Sequence, residues 1–154
     1  MRRWFALALV VGAIVLHDAK ISRRADVAPS AIRLDSLKIA VLAAKQLRMV
    51  VIDACRNNPF YTGTRATRGM GRSPPTPGVL LIQSTQAGNI AQDGQGRNSP
   101  FAQAFLAELR KSAKRDVRQL MSGVQGSVMS LTRNEQKPQI DDGLATADTL
   151  ALAP

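Results

Sequence analysis

The chain has 154 residues, 21 Lys+Arg against 11 Asp+Glu, a formal net charge of +10 and 45% apolar residues, which fits one domain with a real core and excludes wholesale disorder. One cysteine excludes an internal disulfide framework or a Cys-rich zinc site, one histidine excludes sites needing two imidazoles, and six aromatic residues are too few for a base-stacking platform. The arginines run from Arg2 to Arg133 and the basic residues form no block of five, so the charge reads as a basic surface and no specific nucleic-acid partner is expected.

Met1-Arg2-Arg3 precedes an apolar run from Trp4 to Leu16. As a helix this run would span about 20 Å, short of the roughly 30 Å hydrocarbon core, so no stable membrane span is expected. A short basic start followed by such a run fits a secretory signal over residues 1–19, with export to the periplasm or medium. The alternative is a buried strand, since Val10, Val11, Ile14 and Val15 are β-branched, with a cytoplasmic location. Ser30 is expected to cap a helix over about Ala31–Leu47. Met49-Val50-Val51-Ile52 is a continuous apolar run ending at Asp53, the pattern of a parallel strand buried on both faces. Residues 56–78, rich in Pro, Gly, Thr and Arg, read as a long exposed basic loop. Val79-Leu80-Leu81-Ile82 reads as a second buried strand, and a polar loop follows from Gln86 to Asn98. Ser99 and Pro100 suit the N-cap and first position of a helix that carries Phe101, Ala104, Phe105 and Leu109 on one face. A further helix is expected from Asp116 to about Ser122. Strands alternating with helices predict an α/β sheet flanked by helices.

The segment Val51-Ile52-Asp53-Ala54-Cys55-Arg56-Asn57-Asn58-Pro59-Phe60 carries the most chemistry. The C-terminal end of a parallel strand is where open α/β sheets place their ligands. A cysteine there becomes a nucleophile only as thiolate, so it needs a base or a positive field. Asp53, two residues before Cys55, would disfavour a thiolate and is better cast as a receptor for a cationic group. The other reading of these residues is a structural cysteine followed by an Asn-Asn-Pro turn.

This segment resembles the catalytic-cysteine segment of the bacterial caspase-like peptidases (peptidase C14), relatives of metacaspases and caspases. Gly96-Arg97-Asn98-Ser99-Pro100-Phe101 agrees downstream, and the resemblance extends over about residues 18–143. It implies a partial caspase-like (caspase-hemoglobinase) fold over residues 20–150, a mostly parallel sheet between helices. It also implies a Cys-His endopeptidase that acts on peptides or proteins with basic residues; no cofactor is expected, and the acids are too dispersed to nominate metal ligands, calcium included. By this resemblance Cys55 is the nucleophile, Asp53 the acid that selects Arg or Lys before the scissile bond, and Asp93 a second such acid. Ser84 would lie on the strand that pairs with the substrate, and Arg65, Arg68 and Arg72 sit in the counterpart of the loop cut during maturation.

The sequence departs from the family at the histidine. No Gly-His-Gly occurs, and the sole histidine, His17, stands in Leu16-His17-Asp18 with no glycine after it. Asp18-Ala19-Lys20 resembles the segment beyond the catalytic-His strand, which makes His17 a poor dyad partner. The earlier strands of the sheet have no counterpart. The chain therefore reads as a natural deletion, a fragment completed by another chain, or the product of a mis-set coding start. A thiol without a base is only a few per cent thiolate at neutral pH, and general-acid help to a leaving amine is typically worth about 10²–10⁴-fold. Impaired activity is expected, with an inactive peptide-binding or interaction module as the alternative. A shortened sheet would also expose an edge that invites self-association or a complementing chain.

Overall fold

The computed structural model describes residues 13–15 (backbone only), 31–53, 74–86, 89, 91, 92, 94, 96–111, 115–145, 150 and 151. A three-stranded sheet lies at its centre, in the order β3 (Met49–Ile52), β4 (Leu80–Gln83), β5 (Gln139–Asp142). β3 and β4 are parallel, with Met49 opposite Leu80 and Ile52 opposite Gln83; β4 and β5 are antiparallel, so the sheet is mixed. β1 (Ala13–Val15) and β2 (Ala31–Arg33) form a separate antiparallel pair.

Each face of the central sheet has its own cover. Leu80 and Ile82 of β4 pack with Phe101 and Ala104 of α2 (Pro100–Lys111) and with Val117, Leu120, Met121, Val124 and Val128 of α3 (Val117–Leu131). Val50, Ile52, Val79 and Leu81 face the other way, against Leu34, Leu37 and Val41 of α1 (Leu34–Val41). All four β4 residues are buried: Leu80, Leu81 and Ile82 as their apolar run requires, and the polar Gln83 with them. β3 departs from that expectation: Val51 is 37% exposed, because β3 is an edge strand among the described residues and the two helices centre on β4.

Two helices differ in extent from their sequence patterns. The expected Ala31–Leu47 helix is shorter at both ends. Ala31-Ile32-Arg33 pairs with β1 instead, so the N-cap position falls on Arg33, which makes no side-chain capping bond; the expected cap, Ser30, lies outside the described residues. The helix stops at Val41, and Arg48 Nε donates to Ala44 O at 3.0 Å just beyond. The chain must leave the helix there, because Val41 belongs to one face of the sheet and Leu47 and Met49 to the other. α3 instead outlasts its expected end near Ser122 by more than two turns. Its N-cap, Asp116, accepts from the Arg118 amide at 2.9 Å.

Gly123 and Gly126 look like helix breakers in the sequence, yet burial of Leu120, Val124 and Val128 carries the helix through them. Gly123 has a packing reason. A Cβ there would sit 2.8 Å from Glu108 Oε2, so glycine makes room for a carboxylate between α2 and α3. Glu108 is 3% exposed and accepts from Lys111 Nζ at 2.5 Å, Ser127 Oγ at 3.1 Å and Arg115 at 3.3 Å. The Lys111 hydrogen bond holds its carboxyl below the ordinary value of 4.5; burial opposes this, and the Ser127 bond and the charges of Lys111 and Arg115 add to it. A carboxyl lowered by folding contributes stability that is complete above its unfolded value and is lost as pH falls through the folded value. Thermal melts should therefore show a decline below about pH 4.5 that Glu108→Gln flattens; equal slopes in both proteins would remove Glu108 as its source.

Candidate functional site

The C-terminal ends of the two parallel strands meet at one side of the sheet. Asp53 follows β3 and is exposed, while Ser84 and Thr85 follow β4 and are buried. The Ser84 amide donates to Ile52 O at 2.9 Å, extending the parallel ladder by one step. Asp53 Oδ2 accepts a hydrogen bond from Ser99 Oγ at the start of α2. The same Ser99 oxygen accepts from the Ala102 amide at 2.9 Å, so the expected N-cap is in place with Pro100 as the first helical residue. Asp53 and Ser99, one from each of the two segments that carried the resemblance, are thus hydrogen-bonded to each other.

A second anchor holds the loop after β4. Gln136 is fully buried and spends both ends of its amide across it. Nε2 donates to Ser84 O at 2.8 Å and Oε1 accepts from the Gln92 amide at 2.9 Å. Gln92 Nε2 reaches Glu135 Oε2 at 2.8 Å, and the Gln86 amide donates to Lys137 O at 2.9 Å. Gln136 is presented by a tight reversal after α3, in which Arg133 and Asn134 take positive φ of 52° and 65° and the Gln136 amide donates to Thr132 Oγ1 at 3.1 Å.

Of the expected site residues, the structure places Asp53 and Ser84. Asp53 stands open to solvent at the strand end, where a ligand could meet it. Ser84, which the resemblance places on the strand that pairs with the substrate, donates its amide to Ile52 O and accepts from Gln136 Nε2 at its carbonyl. Cys55, His17, Asp93, Arg65, Arg68 and Arg72 lie outside the described residues, as does most of the 56–78 loop. Asp93 falls between Gln92, which is fixed by Gln136, and Gly94, which has φ +75°. Among the described residues no group of three or more His, Cys, Asp or Glu is placed to hold a metal ion, and no helix is long and apolar enough to cross a membrane.

Sequence reasoning missed two contributors. Ser99 was legible as a cap but not as a partner of Asp53, 46 residues away. Gln136 carried no signal beyond being a glutamine near a proline, and strand β5 beside it, Gln-Ile-Asp-Asp, lacks an apolar pattern.

Comparisons with known proteins agree with this geometry. A caspase domain family model (Peptidase_C14) matches residues 14–148. No curated protein matches in sequence. Among solved structures, caspase-1 from Spodoptera frugiperda is similar at 23% identity with a TM-score of 0.59, over 91% of this chain and 58% of that one. The structure of pro-sf-caspase-1 is similar at 21% identity with the same TM-score, over 91% and 60%. These likenesses concern the fold, and the chain spans somewhat under two-thirds of either structure's length. With the family match extending over most of the sequence, the chain belongs to the caspase-domain peptidase C14 family.

Proposed function

We propose that this chain carries the nucleophile half of a caspase-like cysteine endopeptidase site that selects Arg or Lys before the scissile bond, and that it hydrolyses peptides poorly by itself. The observation that carries the reading is Asp53: an exposed carboxylate at the outlet of a parallel strand, held by Ser99, two residues before Cys55 in the chain. In the reaction the Cys55 thiolate attacks the scissile carbonyl carbon, and the carbonyl electron pair moves to oxygen. Collapse of the tetrahedral intermediate breaks the C–N bond, the amine leaves with a proton, and water releases the acyl group from sulfur. Asp53, joined by Asp93 as the resemblance implies, would neutralise the basic side chain of the substrate. The proton donor is the weak point. His17 is the sole imidazole in the sequence, and it does not stand in the family's glycine-flanked turn.

Arg65, Arg68 and Arg72, in a stretch rich in Pro, Gly and Thr, offer basic sites that an active relative with the same preference could cut. A second reading, an inactive domain that binds a basic peptide or complements another chain, draws on the same Asp53 and on the open edge of β3 among the described residues.

The test pairs hydrolysis of an arginine aminocoumarin tripeptide with the rate of Cys55 alkylation by iodoacetamide. Hydrolysis by the full chain is expected to match that of Cys55→Ala, and alkylation to keep rising from pH 7 to pH 9, as for an unassisted thiol. Cleavage that depends on Cys55, or an alkylation rate already level below pH 7, would show that an activating base exists and overturn the impairment. Binding of basic peptides without cleavage favours the second reading.

A further inference from the structure

The Ser99 hydroxyl has two partners. Its oxygen accepts from the Ala102 amide, the ordinary work of an N-cap serine, and its hydrogen goes to Asp53 Oδ2. A hydroxyl has one proton to give. With the helix amide on its acceptor side, that proton points away from α2 and onto the carboxylate. Ser99 is itself held in place: Pro100 behind it is buried, and Phe101, the next residue, is locked in the core at 1% exposed. The donor is therefore rigid, whereas Asp53 stands at an exposed strand end with two side-chain torsions to settle. A hydrogen bond to an ionised acceptor is also roughly twice as strong as one between neutral groups.

We infer that Ser99 is a positioning residue for recognition of basic side chains: it fixes the plane of the Asp53 carboxylate so that an arginine fork can engage it. The inference rests on the reading of Asp53 as the receptor for the substrate's basic group. A carboxylate offers about four lone-pair sites, so the bond from Ser99 takes one of them and does not itself exclude a guanidinium. Orientation matters unequally to the two basic residues. Arginine binds a carboxylate through two parallel N–H bonds in a fixed plane, while lysine presents a compact charge that tolerates rotation. Loss of Ser99 should thus weaken arginine more than lysine, a pattern that a merely structural cap would not produce.

The experiment uses the full chain and calorimetric or NMR titration with acetylated tripeptide amides that differ in one residue: arginine, lysine or citrulline, the last being uncharged and close in shape to arginine. Ser99→Gly removes the hydroxyl while keeping an acceptable N-cap, and Ser99→Thr keeps both partners. The unaltered chain should prefer arginine over citrulline by about tenfold. Ser99→Gly should cut that ratio to about twofold, with the loss for arginine exceeding that for lysine, and Ser99→Thr should restore it. An undiminished ratio in Ser99→Gly, or equal losses for arginine and lysine, would overturn the inference and leave Ser99 as a helix cap. If the unaltered chain does not distinguish arginine from citrulline, the reading of Asp53 as receptor fails first and the role of Ser99 falls with it. The two failures differ in which protein lacks the preference.

Discussion

Phe101→Ala is expected to destabilise the fold by about 3–5 kcal/mol, the usual cost of emptying a buried phenylalanine site. Phe101 is 1% exposed, lies in the core with Leu80, Ile82, Leu120, Met121 and Val124, and stacks on Phe105 with ring centres 6.2 Å apart. The cavity would open beneath the first turn of α2, where neighbours on β4 and α3 are tied to the sheet and cannot collapse inward. Urea unfolding should show a lower midpoint at an unchanged slope. Phe101→Leu, which refills most of the space, should lose far less. A loss under about 1 kcal/mol for Phe101→Ala would mean that this layer repacks and does not fix where α2 begins.

Gln136→Leu should cost about 2–4 kcal/mol, since it keeps the volume but strips the partners from Ser84 O and the Gln92 amide. Leucine cannot donate to a carbonyl or accept from an amide, and buried groups left without partners carry their desolvation penalty. The damage should be local as well as global. Amide hydrogen exchange in residues 84–92 should accelerate more than exchange in α3, because Gln136 makes the buried bonds between that loop and the turn after α3, and the Gln92–Glu135 and Gln86–Lys137 bonds would remain alone. Uniform acceleration across the molecule would show that the bridge supports overall stability without shaping the loop.

The contrast between these two residues tells how far the sequence could be read. Phe101 was legible as core because Phe101, Ala104, Phe105 and Leu109 recur at helical spacing behind a Ser-Pro start. The strands at Met49–Ile52 and Leu80–Gln83 were legible for a related reason, as short apolar runs ending in polar residues. Gln136 was not, because its role comes from two partners 44 and 52 residues away and no local pattern encodes such distances. β5 escaped for a similar reason: Gln139, Asp141 and Asp142 are polar, and the strand exists because β4 offers a ladder to pair with. The true length of α3 was hidden by Gly123, which propensity reads as a stop and packing uses to admit Glu108. The place of Asp53 at a strand end was legible in the sequence, whereas its hydrogen bond to Ser99 required the fold.

The strand order has a consequence for how the chain reaches its native state. The central strand, β4, takes one neighbour from well before it and the other from beyond two helices, since β3 ends at Ile52 and β5 begins only at Gln139. Neither pairing is local, and each needs a loop closed at an entropic cost before its hydrogen bonds repay it. The α2–α3 pair is different, as only residues 112–116 separate the two helices. A helical hairpin that forms early would present a ready apolar surface to Leu80 and Ile82, and β4 could settle there before either neighbour arrives. The transition state for folding should then be polarised, with the helices largely formed and the sheet margins completed late.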